Sequence, residues 1–132
     1  MARIDPWAAE YTLPTPEPIT RTLTAPQCPD LTLTLRPLDE LDQLVVLDTV
    51  QDWETRYLKG AEPLGVPLDV RKKLSRRMLH NIAVVRQMEV PPEGEAGYDL
   101  AEWLGLAKNL NALWVEVIQF VNEVQAAHHP KN

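Results

Sequence analysis

Two stretches near the start of the chain, Ile19 to Ala25 (ITRTLTA) and Leu31 to Arg36 (LTLTLR), alternate apolar and polar residues with a period of two. That spacing is the mark of half-buried β-strands. Leu31, Leu33 and Leu35 fall on one face, Thr32 and Thr34 on the other. The intervening PQCPD is rich in turn formers, so the pattern predicts an antiparallel hairpin over 19–36 with a loop of about five residues. A lone hairpin is marginal in water without a covering element, and its outer edge is a candidate pairing surface.

After Pro37 the period lengthens to about 3.6 and predicts three helices, at 39–59, 68–89 and 99–127. In the first, Val46, Val50, Trp53 and Tyr57 make one stripe, with Leu41, Leu44, Val45 and Leu58 beside it. The whole stripe is expected to be core, with the acids on the opposite, solvated face. The second, opened by Asp69 and stopped by Pro91 and Pro92, turns Val70, Leu74, Met78, Ile82 and Val85 inward. The third starts after Asp99. There Leu100, Trp103, Ala107, Leu110, Trp114, Val117, Val121 and Val124 alternate spacings of three and four, a heptad seam. A helix this apolar needs cover on more than one side. It is either the centre of a small monomeric bundle or a surface for a second copy or a partner. Trp103, Leu110, Trp114, Val117 and Val121 are the candidates for that contact.

Seven of the twelve prolines lie in the first 37 residues, which bars a long helix there. Residues 1–18, with their LPTPEP run, are expected to form an extended proline-rich arm. Its Trp7 and Tyr11 are candidates for docking on a neighbour or on the chain's own core. The pattern as a whole predicts a mainly α chain with a small β-hairpin (α+β). A three-helix bundle packs against the N-terminal two-stranded hairpin in one domain over 19–132.

A chain of 132 residues has the length of one ordinary domain and needs no metal or disulfide staple. Cys28 is the only cysteine, which excludes an intramolecular disulfide and a multi-thiolate zinc cage and makes a reducing, cytoplasmic setting the expectation. No apolar run approaches the roughly 20 residues of a membrane span, and MARIDPWAAEY has charges and a proline where a secretory segment would be apolar. Phosphate-binding, dinucleotide, zincin, CxxC and nucleophile-elbow motifs are missing. The chain therefore reads as a non-enzyme with no catalytic, cofactor-binding or metal-ligating set. His128 and His129, adjacent on a helix, point about 100° apart and cannot chelate one ion together.

Charge is unevenly spread over a total of −6. The first helix sets Asp39, Glu40, Asp42, Asp48, Asp52 and Glu54 against Arg56 and Lys59, a balance of −4. The second sets Arg71, Lys72, Lys73, Arg76, Arg77 and Arg86 against Asp69 and Glu89, a balance of +4. Acid-to-base packing, within the chain or between copies, is the expected use. Arg71, Lys72, Lys73, Arg76 and Arg77 are also candidates for an anionic partner, but the acidic total and the lack of interleaved aromatics argue against nucleic acid.

The proline-rich arm, the strand pair ending in LTLTLRPLDELD, the helix ending in WETRYLKG and the final AEWLGLAKNLNALWVEVIQFVNEV together resemble the tail assembly chaperones of long-tailed (siphovirus-type) bacteriophages. The likeness covers about Leu31 to Val124 and includes Trp103, Trp114 and Asn122. It implies a virion-assembly factor in the host cytoplasm that binds the tape measure protein and helps recruit tail tube subunits. A homo-oligomer is the accompanying expectation. Three other readings stay open: a small structural virion or connector protein, a host-takeover protein that inhibits a host enzyme through the acidic first helix, and a nucleic-acid-binding regulator using Arg71 to Arg77.

Overall fold

The alternating N-terminal stretches fold as the predicted hairpin in the structure, a computed structural model that describes residues 3–8 and 16–128. Strand β1 (Ile19–Leu23) pairs antiparallel with β2 (Leu31–Leu35), Ile19 opposite Leu35 and Leu23 opposite Leu31. Leu23, Leu33 and Leu35 are buried. On the other face the hydroxyls of Thr20 and Thr34 lie 2.7 Å apart and those of Thr22 and Thr32 2.9 Å apart. The connection turns through Gln27, at φ 61°. The far edge of β2 is closed by the chain around Glu89: the Arg36 amide donates to the Met88 carbonyl and the Val90 amide to the Thr34 carbonyl, each at 2.8 Å.

Five α-helices follow among the described residues: α1 (Glu40–Trp53), α2 (Leu68–Lys72), α3 (Arg76–Met88), α4 (Leu100–Asn109) and α5 (Asn111–His128). The α+β class is as the pattern predicts, but two of the three expected helices are broken. α1 opens with a reciprocal cap between Asp39 and Asp42 and runs on through a π-helical turn over Glu54–Leu58. It stops at Gly60, where a Cβ would come within 2.8 Å of the Thr55 and Arg56 carbonyl oxygens. The helix expected over 68–89 divides at Lys73 to Ser75. Ser75 takes extended backbone, and its hydroxyl accepts from the Met78 amide at 3.2 Å, capping α3. The helix expected over 99–127 divides at Leu110, at φ −125° and ψ 52°. The Asn111 side chain there donates to the Ala107 carbonyl at 3.2 Å, a local bond that competes with helix continuation.

α1 packs on α3 through Val46, Val50 and Trp53. α3 also meets α4 and α5, and α5 runs beneath β1, where the Arg21 guanidinium sits 4.5 Å from the Phe120 ring centre. A polar junction fixes these layers. Arg36, just past β2, grips Asp42 of α1 with two bonds of 2.8 and 3.1 Å, and Gln87 of α3 donates to the same carboxylate at 3.1 Å. Gln125 of α5 both accepts from the Leu38 amide and donates to the Leu38 carbonyl, at 2.9 Å each.

The Arg36 bonds hold the Asp42 carboxyl well below the ordinary carboxylate range, with Gln87 and the Asp39 amide assisting against desolvation. Asp42 therefore adds stability above its unfolded pKa and loses it as pH falls. Glu89 works in the opposite sense. Burial pushes its carboxyl up against the pull of the Tyr98 amide, so its contribution is present at low pH and lost as pH rises. Asp42→Asn should lower the unfolding free energy at pH 7 by about 1.5–3 kcal/mol, the range for a charged hydrogen-bonded group. The gap to wild type should narrow below about pH 4. Urea denaturation at pH 7 and pH 3 reads both, and a gap independent of pH would remove the carboxylate charge as its source.

Candidate interaction surface

The seam proposed from the heptad pattern is not an open surface. Trp103, Trp114, Val117 and Val121 are buried, and Leu110 is half-buried at the break. The ring centres of Trp103 and Trp114 lie 5.9 Å apart. On one straight helix these two residues would be separated by about 16 Å of rise. The break at Leu110 bends the chain so that the two indoles meet. Tyr98 adds an edge-on ring 5.1 Å from Trp103, while the buried Trp103 Nε1 has no hydrogen-bond acceptor among the described residues. The seam residues therefore belong to the core of a single copy.

The arm divides differently. Trp7 is 92% exposed and Ile4 also faces solvent, in a turn where the Ala8 amide donates to the Asp5 carbonyl at 3.1 Å. Tyr11 lies outside the described residues.

The basic cluster is only partly available to a partner. Arg71 reaches back to the carbonyls of Glu62, Tyr57 and Gly60 at 2.5, 3.4 and 3.5 Å and fastens the loop between α1 and α2. Arg76 lies 3.7 Å from Glu54, the one ion pair joining the two oppositely charged stretches among the described residues. Lys72, Lys73 and Arg77 are exposed and form no ion pair among the described residues. Ion pairing between the acidic and basic stretches is thus confined to one pair among the described residues.

Val46, Val50 and Trp53 of the expected stripe are buried, but Leu41, Leu44 and Val45, which the pattern also assigned to the core, lie on the open face of α1. Leu41, Leu44, Val45 and Leu47 are exposed, because α1 is apolar around much of its circumference and α3 covers one side only. Leu44 sits at the centre of this ridge. Leu41 and Leu47 lie one turn to either side, and Glu40 and Asp48 flank it at positions four residues away. Neither acid forms an ion pair among the described residues. The sequence pattern counted Leu41, Leu44 and Val45 with the core and did not single out Leu47. No local signal sets them apart from Val46, Val50 and Trp53, which share the same acid-bearing span.

A second feature lies between α2, α3 and α4. Val70, Leu74, Met78, Leu104 and Ala107 floor a half-open cavity of about 250 Å³, with Lys73 and the Asp69–Lys108 ion pair (2.6 Å) at its rim. Lys108 holds the Asp69 carboxyl below its ordinary range. No group of three or more His, Cys, Asp or Glu among the described residues could hold a metal ion, and no helix there is long and apolar enough to cross a membrane.

Comparison with protein-family models, curated proteins and solved structures finds no match to this chain. The placement of the indoles carries a direct consequence. Trp114→Asp should unfold the protein, since a buried charge adds to the roughly 3–5 kcal/mol lost on emptying a tryptophan site. Circular dichroism and urea titration check this, and a folded variant that had lost only self-association would return the seam to the surface.

Proposed function

We propose that the protein is a non-enzymatic assembly factor that works by contact with other polypeptides. Following the resemblance of its sequence, the reading is a tail assembly chaperone of a long-tailed bacteriophage. It engages the tape measure protein in the host cytoplasm and helps recruit tail tube subunits. The observation that carries this is the distribution of uncovered apolar side chains: four of the ten large ones exposed among the described residues lie on α1, and the arm adds Ile4 and Trp7. A chaperone for a long, helical, apolar-striped client must cover that stripe without demanding one sequence, which suits aliphatic ridges and an aromatic-tipped arm. Several copies spaced along the client would share the task.

Co-expression of the full chain with the tape measure protein of the same virus tests this reading. Purification on the tape measure protein should bring the chain down with it and raise its soluble yield. The double variant Ile4→Ser, Trp7→Ser should reduce that recovery severalfold. A tape measure protein that stays insoluble and unbound would overturn the reading.

A further inference from the structure

We propose that the cavity between α2, α3 and α4 binds a free aliphatic carboxylate of about ten carbons, its chain on the apolar floor and its head group at Lys73. This goes beyond the assembly role, which concerns other polypeptides, and does not depend on it. The break at Lys73 to Ser75 parts α2 from α3. Val70 and Leu74 on one side of it and Met78 on the other stay half-buried, and Leu104 and Ala107 of α4 complete the floor. These five side chains supply no strong hydrogen-bonding group, so the floor favours hydrocarbon over anything polar. A dry cavity of about 150 Å³ holds benzene, about 25 Å³ for each carbon. At that density about 250 Å³ admits about ten carbons of a flexible chain. A lipid with two acyl chains exceeds it.

The rim decides the head group. It carries Asp69, Lys73 and Lys108. Asp69 of α2 and Lys108 of α4 answer each other at 2.6 Å. Lys73 is exposed and forms no ion pair among the described residues. One cation is therefore left over at the place where a chain lying on the floor would reach solvent. A single carboxylate matches that charge, with a hydrogen bond strengthened by it. A cationic head group would face Lys73 unscreened, and an uncharged one would leave it unanswered.

Calorimetric titration of the full chain with hexanoate, octanoate, decanoate and dodecanoate, each below its micellar concentration, tests this. Binding should saturate at one ligand per chain. Affinity should rise about fourfold with each added methylene and level off at about ten carbons, where further chain lies outside the cavity. Ala107→Leu adds an isopropyl group to the floor and should move that plateau to about seven carbons; the smaller Ala107→Val, used if the leucine variant does not fold, should move it less. Lys73→Glu, at an exposed position, should weaken octanoate about tenfold and leave uncharged 1-octanol unchanged. Leu44→Ser, on the open face of α1, should alter neither ligand. Absence of saturable binding, a plateau that the Ala107 variant leaves in place, or equal octanoate affinity in Lys73→Glu and wild type overturns the proposal. So does weakening by Leu44→Ser, which would mean adsorption on the exposed leucines. Tighter binding of N-acetylphenylalanine amide than of octanoate would give the cavity to a polypeptide side chain and overturn it as well.

Discussion

At Leu110 the backbone leaves the helical region, and the apolar run that one straight helix would spread over about 40 Å is bent so that Trp103 and Trp114 meet. That bend decides what the C-terminal third buries. Trp103, Phe120, Leu113 and Val117 become fully buried without a second chain, and the indoles of Trp103 and Trp114 meet across the corner. The break exposes backbone groups, and the Asn111 amide supplies a partner for the Ala107 carbonyl. Burying the Trp103 Nε1 with no acceptor among the described residues costs about 1–3 kcal/mol, which the burial of so large a ring offsets. With the C-terminal third sealed in this way, the exposed apolar residues concentrate on α1.

The polar junction beneath the hairpin explains why α1 presents that particular face. Its first turn is held from two directions, by Arg36 from the strand side and by Gln87 from α3, both on Asp42. Gln125 occupies the donor and the acceptor of Leu38, joining residues 87 positions apart in sequence. Backbone groups between a strand and a helix are otherwise left to water, and here a side-chain amide takes both in one planar contact. These bonds set the rotation of α1 about its axis. Val46, Val50 and Trp53 point inward, and the Leu44 ridge is left outside.

The local signals were legible in the sequence and the tertiary ones were not. Alternating leucine and threonine placed both strands and their faces, since a slip of one residue would have turned every leucine outward. Acids at Asp39 and Asp99 marked helix starts, and in the structure each caps reciprocally with the acid three residues on. The breaks were hidden for different reasons. Leu110 keeps its place in the three-and-four spacing on either side of the corner, so periodicity carries through a helix that does not. Ser75 is an ordinary residue inside an apolar pattern until its hydroxyl is seen to cap Met78. Among the site candidates, periodicity could count the apolar residues of α1 but could not say which of them α3 would reach. Nor could charge counting foresee that Arg71 would be drawn to three loop carbonyls.

That loss of Arg71 changes what the basic corner can recognise. Phosphate backbones are held by many cations acting together, each adding to the salt dependence of binding. Of the five basic residues from Arg71 to Arg77, Arg71 fastens a loop and Arg76 leans toward Glu54, which leaves Lys72, Lys73 and Arg77 without an ion pair among the described residues, and of these only Lys73 lines the cavity floored by Val70, Leu74 and Met78. Three such cations are few for a polyanion, whose charge is continuous, and the cavity beside Lys73 has an apolar floor and an acid, Asp69, at its rim. The acidic total of −6 works in the same direction, because it repels a polyanion at long range while leaving a short-range contact between unlike patches intact.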